Sequence, residues 1–147
     1  MKKILFVLTA SAAIISCSKV KDGEYLITGT ATGIENGKTI ILQGADPATR
    51  MPISLDTVKV ENGKFEIKGK VTEPAFHTLI LQGANGPIPL ILETGEIKVN
   101  IDKDSIHKSK VSGTYNNDEY VAFTEDMTKT QKNLIDFQKK NNQKMQQ

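Results

Sequence analysis

Apolar and polar residues alternate strictly along residues 57–68, which is the two-residue period of a strand with one face buried. Val58, Val60, Phe65 and Ile67 fall on one side, and Lys59, Glu61, Lys64 and Glu66 on the other. Asn62-Gly63 at the centre suits a type I′ turn, whose two central residues both need positive φ. The pattern predicts a hairpin in which Val60 faces Phe65 and Val58 faces Ile67. Lys59 would then meet Glu66, and Glu61 would meet Lys64, each pair contributing ~0.2–1 kcal/mol. The same tetrapeptide, Glu-Asn-Gly-Lys, recurs at residues 35–38 and predicts a second hairpin of the same type, joining a run that ends near Ile34 to a strand at 39–43. A third turn at Thr94-Gly95 would pair Leu92 with Ile97, Leu90 with Val99 and Ile88 with Ile101, placing aliphatic side chains on one face. Further strands are expected at 76–82 and, more weakly patterned, at 110–113. Ile-Leu-Gln-Gly-Ala occurs at both 41–45 and 80–84, too short an echo for a repeat array. The expected fold is mainly β: an antiparallel β-sandwich or partly open barrel of about eight short strands, followed by a C-terminal α-helix.

The period changes after residue 115. No Gly or Pro follows, and Tyr120, Phe123, Met127, Thr130, Leu134 and Phe137 recur at alternating three- and four-residue steps. Asn116 with Glu119 three residues on reads as a capping box at the helix start. Two positions per seven make a narrow apolar stripe. Such a helix either packs on the β domain or offers Tyr120, Phe123, Met127, Leu134 and Phe137 as a docking surface for something outside the chain.

The N-terminus follows a different logic. Lys2 and Lys3 precede a mostly apolar run from Ile4 to Ile15, shorter than the ~20 residues a spanning helix needs. Ile14-Ile15-Ser16-Cys17 resembles the lipobox of bacterial lipoproteins, in which the signal peptide is cut before a diacylglycerol-modified Cys. That resemblance implies a signal peptide over 1–16, a lipidated tether over 17–23 beginning at Cys17, a β-rich domain over 24–114 and a helix or linker over 115–147. The expected location is the cell envelope, lipid-anchored to the inner or outer membrane and facing the periplasm. Several acyl chains, palmitate among them, hold a protein stably where one would be marginal.

Composition narrows the chemistry. The chain has 147 residues with 5% aromatics and no Trp, so its core must be built mainly from Ile, Leu and Val. Removing residues 1–16 takes away two lysines and no acid, which brings the formal charge from +2 to zero. A neutral domain whose only Arg is Arg50 has no electrostatic footprint for nucleic acid. Cys17 is the single Cys, which excludes an intrachain disulfide, a CxxC pair and a Cys-based metal site. His77 and His107 lack local partners for metal binding or proton transfer and read as sheet-surface or loop residues. Glu93 and Glu96 face each other across the Thr94-Gly95 turn in the expected hairpin, which makes them a solvated hairpin end rather than an acid–base pair. The segments 83–87 and 46–50 read as surface loops. No cofactor is expected and the chain does not read as an enzyme. Asp56-Thr57-Val58 and Asp104-Ser105-Ile106 resemble the Asp-Ser/Thr-aliphatic pattern of periplasmic O-glycosylation, which marks Thr57 and Ser105 as candidate acceptors.

The order of turn and core residues carries a family resemblance. Asp56-Thr57-Val58, then Asn62-Gly63-Lys64-Phe65-Glu66-Ile67-Lys68-Gly69, Glu73-Pro74, Glu93-Thr94-Gly95-Glu96-Ile97 and Val111-Ser112-Gly113-Thr114, resembles the domain-of-unknown-function 4369 family over residues 24–125. Such domains sit in exported lipoproteins, N-terminal to a thioredoxin-like domain of the TlpA/AhpC type that carries a WCxxC motif. The resemblance implies a non-catalytic domain associated with thiol-disulfide oxidoreductases, with a thioredoxin-like domain or protein as partner and the membrane as anchor. Disulfide exchange needs an attacking thiolate, and no redox residue of the family can be carried over to this chain. A stand-alone lipoprotein acting as a ligand-binding or structural module is the alternative.

Overall fold

The computed structural model describes residues 20–145. The β-rich part contains β1 (Glu24–Thr30), β2 (Thr39–Ala45), β3 (Pro52–Lys59), β4 (Lys64–Lys70), β5 (Ala75–Leu81), β6 (Ile88–Leu92), β7 (Gly95–Asn100) and β8 (Lys110–Ser112). A 3₁₀ turn, Ile106–Lys108, precedes β8, and the helix α1 (Tyr115–Met145) follows it. The strands form two open four-stranded sheets, ordered β4-β1-β7-β8 and β3-β2-β5-β6. This is the sandwich among the expected architectures, not a closed barrel.

One aliphatic core joins the sheets. Ile27, Ile67 and Ile97 from the first meet Ile40, Leu42, Leu79 and Leu90 from the second, all essentially inaccessible to water. Fully burying each such side chain is worth ~1.5–3 kcal/mol, so this cluster supplies most of the stabilisation that the scarce aromatics cannot. Phe65 is the main aromatic filler, and its ring lies across Gly29 on the neighbouring strand. A Cβ at residue 29 would overlap the buried Phe65 ring, so only glycine fits there. Tyr25 is buried on the same strand, and that burial, with the Asp56 carboxylate adding to it, pushes its phenol above the ordinary pKa.

All three expected hairpins need correcting, and in the same way. The Asn62-Gly63 turn is as predicted, with φ of 51° and 69° and reciprocal Glu61–Lys64 backbone bonds of 2.9 and 3.0 Å. Beyond Glu61–Lys64 the strands part: β3 pairs with β2, whereas β4 pairs with β1 in the other sheet. Val60, Phe65 and Ile67 are buried, but Val58 on β3 and Ile67 on β4 lie in different sheets rather than side by side. Thr94-Gly95 likewise carries the chain between sheets, from β6 to β7, and β7 runs parallel to β1. Leu92, Leu90, Ile88, Ile97, Val99 and Ile101 all reach the core, though not as hairpin pairs. The turn at 35–38 also links the sheets, and only Gly37 within it has positive φ. The reason is common to the three. Alternation specifies which side of a strand faces the core, and a tight turn reverses the chain, but neither chooses between pairing in one sheet and crossing the core.

The true hairpins use longer loops: residues 46–51 between β2 and β3, 82–87 between β5 and β6, and 101–109 between β7 and β8. Asp46 organises the first, accepting from the backbone N–H of Ala48 (3.0 Å) and Thr49 (2.7 Å). These bonds, led by those from Thr49, hold its carboxyl below the usual carboxylate range. The sheets leave two seams. On one, β3 and β4 are joined by the Asn62-Gly63 turn; on the other, α1 packs against both β6 and β8. The helix root therefore closes the open side of the sandwich.

Candidate functional site

The root of α1 is the most elaborate polar cluster among the described residues. Gly113 turns the chain out of β8 with φ +102°, and a Cβ there would lie 2.6 Å from the Glu96 carbonyl oxygen. Thr114 then acts as N-cap: its carbonyl accepts the first helical bond from Asp118 N–H at 3.0 Å. The Asp118 side chain accepts from Gly113 N–H at 3.1 Å. The capping box expected at Asn116 and Glu119 is not made, because the helix starts earlier and another element supplies the cap.

That element is Glu93, at the end of β6. It is only 7% exposed, and its Oε1 accepts from the backbone N–H of Asn116 (3.0 Å) and Asn117 (3.3 Å). Its Oε2 accepts from Asn116 Nδ2 at 2.6 Å. A carboxylate on unpaired helix N–H groups is favoured by both hydrogen bonding and the helix dipole. Glu93 is thus a helix anchor, not the solvated hairpin end its sequence neighbours suggest. Glu96 lies outside, accepting from Thr28 Oγ1 at 3.3 Å.

Asn117 completes the root from within. It is 1% exposed and acts as a strand partner on the free edge of β6. Ile91 N–H donates to its Oδ1 at 2.8 Å, and its Nδ2 donates to the Ile91 carbonyl at 2.7 Å and to Thr114 Oγ1 at 2.8 Å. The amide blocks an edge that would otherwise invite pairing. Sequence reasoning missed it because a lone Asn inside a helical pattern reads as neutral surface. The available signal was position: it lies three residues after a Gly-Thr helix start.

Past the root the helix runs free of the sandwich. From Glu125 onward its residues are exposed, apart from a partly covered Asp136 held by Lys132 at 3.1 Å. Phe123, Met127, Leu134 and Phe137 are 54–61% exposed, and Thr130 is exposed with them. Only Tyr120 touches the β domain through the stripe, its ring edge-on to Phe76 at 5.2 Å. Phe76 is itself 65% exposed and extends the apolar surface at the stripe's near end. Among the described residues no helix is long and apolar enough to cross a membrane.

Two concave surfaces adjoin these elements. Between α1 and the 106–110 segment lies a groove of about 810 Å³ with an apolar floor at Ile88 and Ile106 and a rim bearing His107, Lys108, Lys129 and Lys132. The outer face of the β4-β1-β7-β8 sheet borders an open hollow of about 1110 Å³ that includes Thr30, Lys64, Lys98, Asn100, Lys110 and Ser112. His77 is partly covered, with its Nδ1 2.9 Å from the Ala75 carbonyl, while His107 stands exposed beside Ser105 Oγ. The described residues contain no group of three or more His, Cys, Asp or Glu arranged to hold a metal ion. Thr57 is exposed on the edge strand β3, and Ser105 is partly covered before the 3₁₀ turn. Cys17 lies outside the described residues.

Geometry therefore defines a two-sheet β domain that clamps one long helix by its first turn. The chain belongs to the family described as Domain of unknown function (DUF4369), whose model matches residues 25–120. That span takes in both sheets and the helix root as far as Tyr120. No curated protein and no solved structure matches the chain.

Proposed function

We propose that this protein is a non-catalytic module of the cell envelope, tethered to a membrane through a lipid on Cys17, that holds out α1 as a docking element for a partner. The observation that carries the docking role is the exposed stripe Phe123, Met127, Leu134 and Phe137 on a helix whose base is locked by Glu93 and Asn117. Helices in proteins draw most of their stability from packing of an apolar face, and hydrophobic side chains aligned on one uncovered face are what a partner surface would bury. The family resemblance adds a thioredoxin-like domain or protein as a partner that such a module would hold near the membrane. The lipobox-like Ile14-Ile15-Ser16-Cys17 supports the anchor.

The test is fractionation with mass analysis of the N-terminal peptide. The native protein should partition with membranes and begin at a Cys17 that carries acyl chains, read from the mass of its N-terminal peptide, and Cys17→Ala should remove that added mass. An unmodified Cys17 in a water-soluble native protein would end the anchor reading. A second reading, a ligand-binding module, draws on the lysine-rimmed groove under α1. It favours a small anionic ligand, and binding that survives Phe123→Asp but not Lys108→Glu/Lys132→Glu would support it over docking.

A further inference from the structure

The free part of α1 carries two patterns at once. Tyr120, Met127 and Leu134 alternate with Phe123, Thr130 and Phe137 at the spacing of heptad a and d positions. The side of the helix that meets the sandwich is different, running through Asn117, Val121 and Thr124. At about 100° per residue the two sides stand roughly 120° apart, so a second helix can lie on the stripe without displacing the β domain. The second pattern is charge. Asp118, Glu119, Glu125 and Asp126 occupy the first third of the helix, whereas Lys129, Lys132, Lys139, Lys140 and Lys144, with Asp136 the one acid among them, occupy the rest. The helix's own dipole favours that order. It also dictates what can lie alongside: a parallel copy sets acid on acid and base on base, and an antiparallel copy sets each against its opposite.

We infer that the occupant of the stripe is the same stripe of a second copy of this chain, lying antiparallel. The best register places Tyr120 against Phe137 of the second copy, Phe123 against its Leu134 and Met127 against its Thr130. A two-fold axis between the helices repeats each contact, the isologous arrangement usual for dimers. The same register brings Glu119 beside Lys140 of the second copy at the flanking g positions, where charge selects partner and orientation. Sliding by one heptad sets Leu134 against Asn116 in one direction and Tyr120 against Lys144 in the other, so hydrophobic match and charge agree on one alignment. Phe137 of the second copy arrives where Tyr120 meets Phe76, covering the exposed edge of that aromatic pair. Thr130 near the centre weakens the seam, which suits an assembly that exchanges. The pairing rests on the stripe being a docking surface and names what docks there.

Cysteine cross-linking of the full chain tests orientation directly. Positions 119 and 140 lie roughly 30 Å apart within one helix, so Glu119→Cys/Lys140→Cys cannot bridge internally. Under mild oxidant that double variant should give a disulfide-linked dimer on a denaturing non-reducing gel, lost when Phe123→Asp is added, while the unsubstituted chain and Glu119→Cys alone should form no disulfide link. Equal cross-linking by Glu119→Cys alone would mean a parallel pair and overturn the proposal. A double variant that forms no disulfide link would overturn it too. In sedimentation of the full chain in non-denaturing detergent, Leu134→Asp should raise the dimer dissociation constant at least tenfold and Thr130→Leu should lower it. If the chain sediments as a monomer throughout while Phe123→Asp abolishes binding of a purified thioredoxin-like partner, the stripe docks something else, so self-pairing fails and the docking reading stands. If Phe123→Asp changes neither assay, both fail.

Discussion

The two halves of α1 stand in opposite situations. In the first turn Asn116, Asn117 and Asp118 each bond to another element, engaging Glu93, Ile91 and Gly113. From Glu125 to Met145 the side chains meet solvent, and the ties are within the helix, such as Lys132 to Asp136. The root is held by buried, directional bonds whose loss leaves groups unsatisfied. The free half is held by propensity and by whatever covers its stripe. One end is built for stability and the other for contact.

The contrast is broken most severely at Asn117. Asn117→Ala leaves the N–H and C=O of Ile91 without their partner, and each unsatisfied buried group costs ~1–3 kcal/mol. Chemical denaturation should show a loss of about 2–4 kcal/mol. A loss below about 0.5 kcal/mol would mean that water replaces the amide and that the root is not what closes β6. Glu93→Gln keeps the shape but removes the charge from the helix N-terminus, so a smaller loss, about 1 kcal/mol, is expected. It should appear as faster hydrogen exchange at the amides of the first helical turn.

On the free half the expectation reverses. Leu134→Ser should change the unfolding free energy of the monomer by no more than ~0.5 kcal/mol, as for other exposed positions. Amides beyond residue 125 should exchange much faster than the root's in dilute protein and slow down as concentration rises. Concentration-independent exchange would separate the free half from any self-pairing.

Two titrations act on the β domain and should leave the free helix alone. The Tyr25 phenol has a pKa raised above 10.0 in the folded state, so its contribution is complete below pH 10 and is lost as pH climbs through the folded value. Denaturation midpoints should fall in that alkaline range in the native protein and fall less in Tyr25→Phe, with no loss of helicity beyond residue 125. Asp46 is the opposite case and the smallest effect. Its pKa is lowered below 3.8, so the contribution is present above that value and disappears as pH drops through the folded pKa. The amide signals of Ala48 and Thr49 should report it, and Asp46→Asn should abolish the transition.

Much of this was readable from residue order, and the failures share a cause. Ile-Leu-Gln-Gly-Ala occurs twice: in β2 its glycine, Gly44, continues the strand, whereas Gly83 leaves β5 in a turn with φ +83°. Glu-Asn-Gly-Lys also occurs twice, yet Asn62 takes positive φ and Asn36 does not. The two tetrapeptides end up side by side, with Asn62 N–H donating to Asn36 Oδ1 at 2.8 Å. Identical segments diverge because their backbone groups answer to different neighbours, which local propensity does not contain. Glu93 was misread for the same reason, since its partners lie more than twenty residues away.

What the sequence alone determined was side and period: which residues of each strand face the core, where the chain turns, and that a narrow apolar stripe follows on a helix. Alternation and heptad spacing are properties of a single segment, so they can be read without knowing the rest. The tertiary structure alone decided the partners: that the tight turns cross the core instead of closing hairpins, that β1 lies parallel to β7, and that Glu93 and Asn117 seize the start of α1. Those choices depend on filling one shared interior and satisfying every buried polar group at once, conditions that exist only when all the segments are present together.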